Sequence, residues 1–387
     1  MTATVQIEPG DARALVRALV QVDSRNPGLS PGAPGERACA VLLRDVLDAW
    51  GFATSLDDAA PGRPNLVARI GAATSGRALM FNGHLDVVGV DGMIHAPFAA
   101  DERSDLLYGR GSADMKGGVA AMCAAAWRAA QRGLSGEILI AAVVDEEYTS
   151  AGTRALIASG VRADAAIVCE PTCLAIMPAH RGFVWVEVEI SGRAAHGSRW
   201  EIGVDAIRHA GLLLAELDRV DTEVLPLATH PLLGRASLHA SFIEGGLGMS
   251  TYPDRCVLRL ERRTIPGETA GEVLEEVSRA CDAVRARRPE FSATMRLMLS
   301  QGPSDVAVDA PVVRELASAL VACGEPTAVA GMSAWTDAAL LNDAGIPAIC
   351  FGPGDISLAH AAEEYIPLRE IDRAAAVLDA LATRWCG

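Results

Sequence analysis

The sequence predicts an α/β protein, a mixed, largely parallel sheet sandwiched by helices, with a ferredoxin-like α+β unit inserted into it. Three observations carry this. Continuous apolar runs, such as EILIAAVV at 137–144, mark strands buried on both faces. Segments of helical period alternate with those runs, the order that builds a parallel sheet. After Pro178 the strands instead alternate apolar with acidic residues, and their order to about residue 300 is β-α-β-β-α-β, the split ferredoxin-like unit. A chain of 387 residues, half of them apolar, is long for one hydrophobic core. The expected division is therefore 1–178 with 301–387, interrupted by 179–300.

In chain order, residues 11–23 and 36–50 carry apolar side chains at helical spacing, with Gly51 as C-cap of the second helix. The Pro/Gly-rich stretch NPGLSPGAPG between them is a loop. Two apolar runs, 65–70 and 78–81, joined by a Gly/Ser/Thr turn, read as antiparallel neighbours. Residues 87–111 show no period and read as a loop. A helix of small apolar residues (117–133), the buried strand 137–144, a helix (150–159) and the strand 165–169 follow. Inside the insertion the expected elements are strands 183–190, 237–243, 256–261 and 292–299, with helices 204–217 and 269–287. The first unit resumes with helices 311–323 and 337–344, the strand 347–351, a loop holding His360, and a final helix 368–384.

Composition excludes several classes. A net charge of −15 and a pI near 5.0 are wrong for a nucleic-acid partner, whose phosphates select Lys and Arg. The first residues lack the continuous apolar stretch of a signal peptide, and no run is long and apolar enough to span a bilayer, so no membrane partner is expected. Nine cysteines, an odd number scattered through apolar runs, read as free thiols in a reducing cytoplasm. The glycines of 109–118 lack the strand–GxGxxG–helix order of a dinucleotide site.

The chemistry-bearing residues gather where strands end. His84 and Asp86, Glu146 and Glu147, and Glu170 each follow an apolar run; His360 lies in the loop after another, and Asp114 precedes a helix. In open α/β sheets, ligands bind at the carboxyl ends of the strands. So many carboxylates at one rim repel one another and resist desolvation unless cations bind. Mixed imidazole and carboxylate donors select zinc, with cobalt or manganese as substitutes. The donors outnumber the needs of one tetrahedral ion and suit two bridged ions, which points to a dinuclear hydrolase.

The motifs NGHLDVV, YGRGSADMKGG, DEEYTSAGT, CEPT, SGRAAHGS and FGPGDISLAHAAEEYI, in that order, resemble those of the metallopeptidase and deacylase family of acetylornithine deacetylase, succinyl-diaminopimelate desuccinylase and glutamate carboxypeptidase. The resemblance implies a catalytic domain with an inserted dimerisation or lid domain. It implies that His84 and Glu170 ligate one metal, that Glu147 and His360 ligate the other, and that Asp114 bridges them. Asp86 is then the partner that orients the His84 imidazole, and Glu146 the general base acting on a metal-activated water. His196 resembles a histidine that reaches the partner subunit's site and stabilises an oxyanion. Arg263 resembles an arginine that binds substrate carboxylate, while Arg262 beside it reads equally as a strand-surface charge. His95 matches no ligand of the family and reads as loop packing or pocket lining.

The function expected from the resemblance is a cytoplasmic, homodimeric hydrolase carrying two divalent metal ions, most simply zinc. It would cleave the amide bond of an N-acyl amino acid or a dipeptide-like substrate. A carboxypeptidase or dipeptidase is the alternative within the family, and a catalytically silent binding protein is the alternative of another class.

Overall fold

The structure is a computed structural model that describes residues 6–72 and 76–387. It divides into two compact units. One runs to Pro178 and resumes at Val306–Ala330 and Thr336–Gly387; the other is Ala179–Asp305 with Gly331–Trp335.

The first unit is built on part of a nine-stranded mixed sheet, in which Ala53–Ala60, Arg63–Gly71, Glu137–Val143, Ala78–His84, Ala165–Val168 and Ala348–Cys350 lie side by side in that order. The first two junctions are antiparallel. From Glu137–Val143 onward the four strands are parallel to one another. Their carboxyl ends therefore lie along one edge, and this is what positions the site. Helices Ala12–Val20, Arg37–Ala49, Gly117–Ala130 and Leu368–Cys386 bury their apolar faces in the main core with the sheet. Gly117–Ala130 is almost wholly buried, and its small side chains let it lie close to the sheet.

Two expectations needed correction. The runs at 65–70 and 78–81 are not neighbours, because Glu137–Val143 pairs with both, antiparallel to one and parallel to the other. A strand apolar on both faces gains most at the centre of a helix-covered sheet, and this one takes that place although it comes later in the chain. Residues 87–111 are not all loop: Asp101–Arg103 and Leu106–Tyr108 pair, and Tyr365–Pro367 joins them. Strands of three residues are too short to show a period. The edge strand Ala53–Ala60 (ATSLDDAA) was also missed, since its mostly exposed face carries acids and alanines.

In the second unit, strands Ser237–Gly245, Arg255–Thr264, Gly182–Ser191 and Ser292–Gln301 form an antiparallel sheet in that order. Helices Ala206–Arg219 and Ala270–Arg287 complete the β-α-β-β-α-β unit. Val184, Val186, Val188 and Ile190 point into the core shared with the helices. Glu187, between them on the other face, accepts from Arg259 at 2.9 Å and Arg296 at 2.8 Å on the two flanking strands. Arg262 is no surface charge: it is 1% exposed and held by Glu268 and Glu276. Burying a guanidinium requires such partners.

Two predictions follow from packing and burial. A Cβ on Gly118 would stand 1.9 Å from the carbonyl oxygen of Cys169. Gly118→Ala should cost about 1–3 kcal/mol and lower the melting temperature by at least ~2 °C; an unchanged melting curve would refute the close approach. His180 is buried, and burial, partly offset by a bond to the Arg181 carbonyl, pushes its pKa down to about 4 from 6.5. Between those values the unfolded chain binds the extra proton, so this contribution is intact above pH 6.5 and is lost as pH falls towards 4. Wild type should lose about 2 kcal/mol more than His180→Leu between pH 7 and pH 5, read from paired denaturation curves.

Candidate metal centre

The parallel strands deliver their polar termini to one rim. His84 is the last residue of its strand; Glu146 and Glu147 follow Glu137–Val143, and Glu170 follows Ala165–Val168. Asp114 comes from the tight turn Ser112–Lys116, directly before helix Gly117–Ala130. His360, at φ 62°, comes from the loop between Ala348–Cys350 and Tyr365–Pro367.

Asp114 lies at the centre. Its Oδ1 is 3.1 Å from His84 Nε2 and its Oδ2 is 3.5 Å from His360 Nε2, so each oxygen faces a different imidazole. His84 Nε2 is also 3.9 Å from Glu170 Oε1, and His360 Nε2 is 3.0 Å from Glu147 Oε2. His84, Asp114 and Glu147 offer donor atoms within 4.8 Å of one another, and so do His84, Glu146 and Glu170.

The electrostatics are those of negative charge held in confinement. Burial first, and then neighbouring carboxylates, push Glu170 and Glu146 well above the usual range, although the His84 charge opposes this in both. Glu147 is raised by burial and by Asp114. His360 is raised to about 9, chiefly by its bond to Glu147. His84 is raised despite its burial, because Asp114 and Glu170 favour its charged form. Without a cation, protons must supply the neutralisation. Divalent ions could replace those protons, and a set of carboxylate oxygens and imidazole nitrogens fits zinc-type ions.

Main-chain anchoring sharpens the role of Asp86. His84 Nδ1 lies 2.9 Å from the main-chain oxygen of Asp86 and 3.7 Å from its carboxylate. The carboxylate instead accepts from the backbone N–H of Glu146 at 3.1 Å and of Glu147 at 3.2 Å. Asp86 thus fixes the imidazole through its backbone and the glutamate segment through its side chain. Glu364, which sequence reasoning passed over, does the same for Asp114. Its Oε1 accepts from the N–H of Ala113 at 3.0 Å and of Asp114 at 3.2 Å, while its Oε2 takes Arg110 at 2.6 Å. Asp337 is a further fully buried carboxylate. Its Oδ2 accepts from Thr153 at 2.6 Å, and burial lifts its pKa to about 6.

Within the first unit, His95 stands apart from this cluster. His95 packs edge-on against Tyr108 with ring centroids 5.5 Å apart. His196 and Arg263 belong to the second unit. His196 is exposed and 2.8 Å from Ser198 Oγ; Arg263 is paired with Glu261 and lies over the Phe183 ring.

A helix-covered, largely parallel sheet with a carboxylate and imidazole rim at its carboxyl edge is a site built to hold divalent cations. The chain matches the sequence profile of Peptidase family M20/M25/M40 over residues 80–384 and belongs to that family. It is 33% identical over 361 residues to an acetylornithine deacetylase of Myxococcus xanthus, covering 88% of this chain and 90% of the relative. It is 28% identical over 389 residues to an N-formyl-4-amino-5-aminomethyl-2-methylpyrimidine deformylase of Bacillus subtilis, covering 92% and 91%. Among solved structures it resembles a tripeptidase of Staphylococcus aureus with a TM-score of 0.80 at 20% identity, covering 98% and 99% of the two chains. No helix of the described residues is long and apolar enough to cross a membrane.

Asp86→Ala would leave two backbone donors unpaired at the glutamate segment. Zinc affinity, measured by competition with a chromophoric chelator, should fall roughly 10–100-fold. Affinity equal to wild type would show that the segment needs no such anchor.

Proposed function

We propose that this chain hydrolyses the amide bond of an N-acyl amino acid, using two divalent ions, zinc or its substitutes cobalt and manganese, and Glu146 as general base. The observation that carries the reading is the convergence of His84, Asp114, Glu147, Glu170 and His360 on one rim, with Glu146 beside them. His84 and Glu170 would hold one ion and Glu147 and His360 the other, with Asp114 between, in keeping with the two faces its carboxylate presents. Bound there, the ions supply Lewis acidity and lower the pKa of water towards neutrality.

The chain's own residues do the rest. Glu146 and Glu147 ride on the turn that follows their strand, and their carboxylates fall in different donor groups, Glu147 with His84 and Asp114, Glu146 with His84 and Glu170, so Glu147 can ligate while Glu146 serves the reacting bond. Glu146 accepts the proton of the attacking water and hands it to the departing amine nitrogen, giving a carboxylate and an amine. Arg263 receives the substrate carboxylate, for which its planar fork is suited. His196 donates to the developing oxyanion, reaching the second subunit of a homodimer formed through the inserted unit. The enzyme would work in the cytoplasm, where its nine unpaired cysteines remain reduced.

A panel of N-acetyl, N-formyl and N-succinyl amino acids and dipeptides, assayed with zinc, cobalt or manganese, tests the substrate class. Cleavage of the acylated set but not the dipeptides is expected; dipeptide cleavage alone would make the enzyme a peptidase instead. Glu146→Gln should lower kcat by roughly 10²–10⁴-fold with metal content kept, whereas His84→Ala should lose metal. Wild-type turnover in Glu146→Gln would remove the base.

A further inference from the structure

We propose that Asn26 and Arg63 are positioning residues for the rim glutamates, acting on the main chain of 145–147 through a buried hydrogen-bond network. The proposal rests on the assignment of Glu146 and Glu147 made above and deepens it.

Asp145 sits at φ 66°, in the left-handed region that a residue with a side chain rarely adopts. Such a conformation persists only where its surroundings over-determine it. Here both carboxylate oxygens of Asp145 are engaged. Oδ1 accepts from Arg63 Nη1 at 2.8 Å and from Asn26 Nδ2 at 3.0 Å. Oδ2 accepts from the Thr149 hydroxyl and from the N–H groups of Thr149 at 3.3 Å and Ala151 at 3.4 Å. The turn that carries Glu146 and Glu147 away from the strand end is therefore tied at both sides of one carboxylate.

Asn26 joins this tie to the other anchor of the segment. The same Nδ2 donates to Asp86 Oδ2 at 2.8 Å, and Asp86 is the group that accepts from the N–H of Glu146 and Glu147. Asn26 Oδ1 accepts from Gly28 N at 2.8 Å, which sets the amide's orientation. One neutral amide thus spans two buried carboxylates that would otherwise repel each other. Arg63 supplies the positive charge of the network. Its other edge is held by Glu36, whose side chain is fully buried, with Nε 2.8 Å from Oε2. Only a fork with several N–H donors can serve Glu36 and Asp145 together; a lysine ammonium offers the charge without the planar geometry.

The consequence is functional because Glu146 and Glu147 ride together on this one turn. A small rotation of the 145–147 backbone moves the base and one metal ligand together, and catalytic geometry tolerates displacements of well under ~1 Å. Loss of the tie should therefore appear in kcat and in one of two metal sites, with substrate binding spared.

The test is Co²⁺ titration of metal-free protein, followed by visible absorption, alongside steady-state kinetics, for wild type, Asn26→Ala and Arg63→Lys. Wild type should take up two Co²⁺ per chain. In both variants the second Co²⁺ should bind about 10–100-fold more weakly, with kcat reduced by a similar factor and KM within about twofold. Because both residues act on the Asp145 carboxylate, the double variant should lose less than the product of the singles. The proposal is overturned if the variants bind both Co²⁺ ions and turn over like wild type. It is equally overturned if their only change is a lower melting temperature. Wild type binding fewer than two Co²⁺, or an active Glu146→Gln, identifies instead a failure of the underlying assignment, with which this proposal also falls.

Discussion

Mutual repulsion among the rim carboxylates is the constraint on which the rest of this structure depends. Asp114, Glu146, Glu147 and Glu170 share a space that burial makes hostile to charge, answered by the imidazoles of His84 and His360 and, at Asp114, by the nearby Arg110. Four parallel strands put the rim together, and their order determines which residues meet. Ala78–His84 lies between Glu137–Val143 and Ala165–Val168, so His84 is flanked by the strand ends leading to Glu146 and Glu170. A fold that concentrates negative charge in this way is consistent with cations being part of its working state.

Around the rim, carboxylates also serve as main-chain anchors. Asp86 accepts from the backbone at Glu146 and Glu147, Glu364 accepts from the backbone at Ala113 and Asp114, and Asp145 closes its own turn. Hydrogen bonds from backbone N–H groups stabilise a carboxylate while fixing the chain that supplies them. Asp114, Glu146 and Glu147 are thereby aimed through their backbone, a stiffer arrangement than contacts to the tips of side chains. The small residues of helix Gly117–Ala130, and the contact of Gly118 with Cys169, bring the Asp114 turn up against the strand leading to Glu170.

Much of this was legible in the sequence, for physical reasons that differ by element. Glu137–Val143 announced itself because a strand buried on both faces must be apolar throughout, and FVWVEVEI announced a strand with one wet face. Histidine and acids placed directly after such runs pointed to the strand ends, and His84, Asp114, Glu147, Glu170 and His360 do meet there. Strand order was not legible, because pairing is decided by competition among all strands for the sheet centre and not by nearness in sequence. Nor were the anchors: Glu364 and Asp337 look like ordinary acids until the fold shows which backbone donors or hydroxyls they face. Arg262 and Arg263 are adjacent in sequence and opposite in fate, one buried between two glutamates and the other on the outer face with Glu261.

The central claim is that two divalent cations neutralise this rim and take their ligands from the parallel strand ends. Anomalous diffraction from crystals of the zinc-loaded protein tests it most directly. Two peaks are expected, one touching His84 and Glu170, the other touching Glu147 and His360, with one oxygen of Asp114 on each. A single peak, or peaks ligated by residues outside this set, would contradict it.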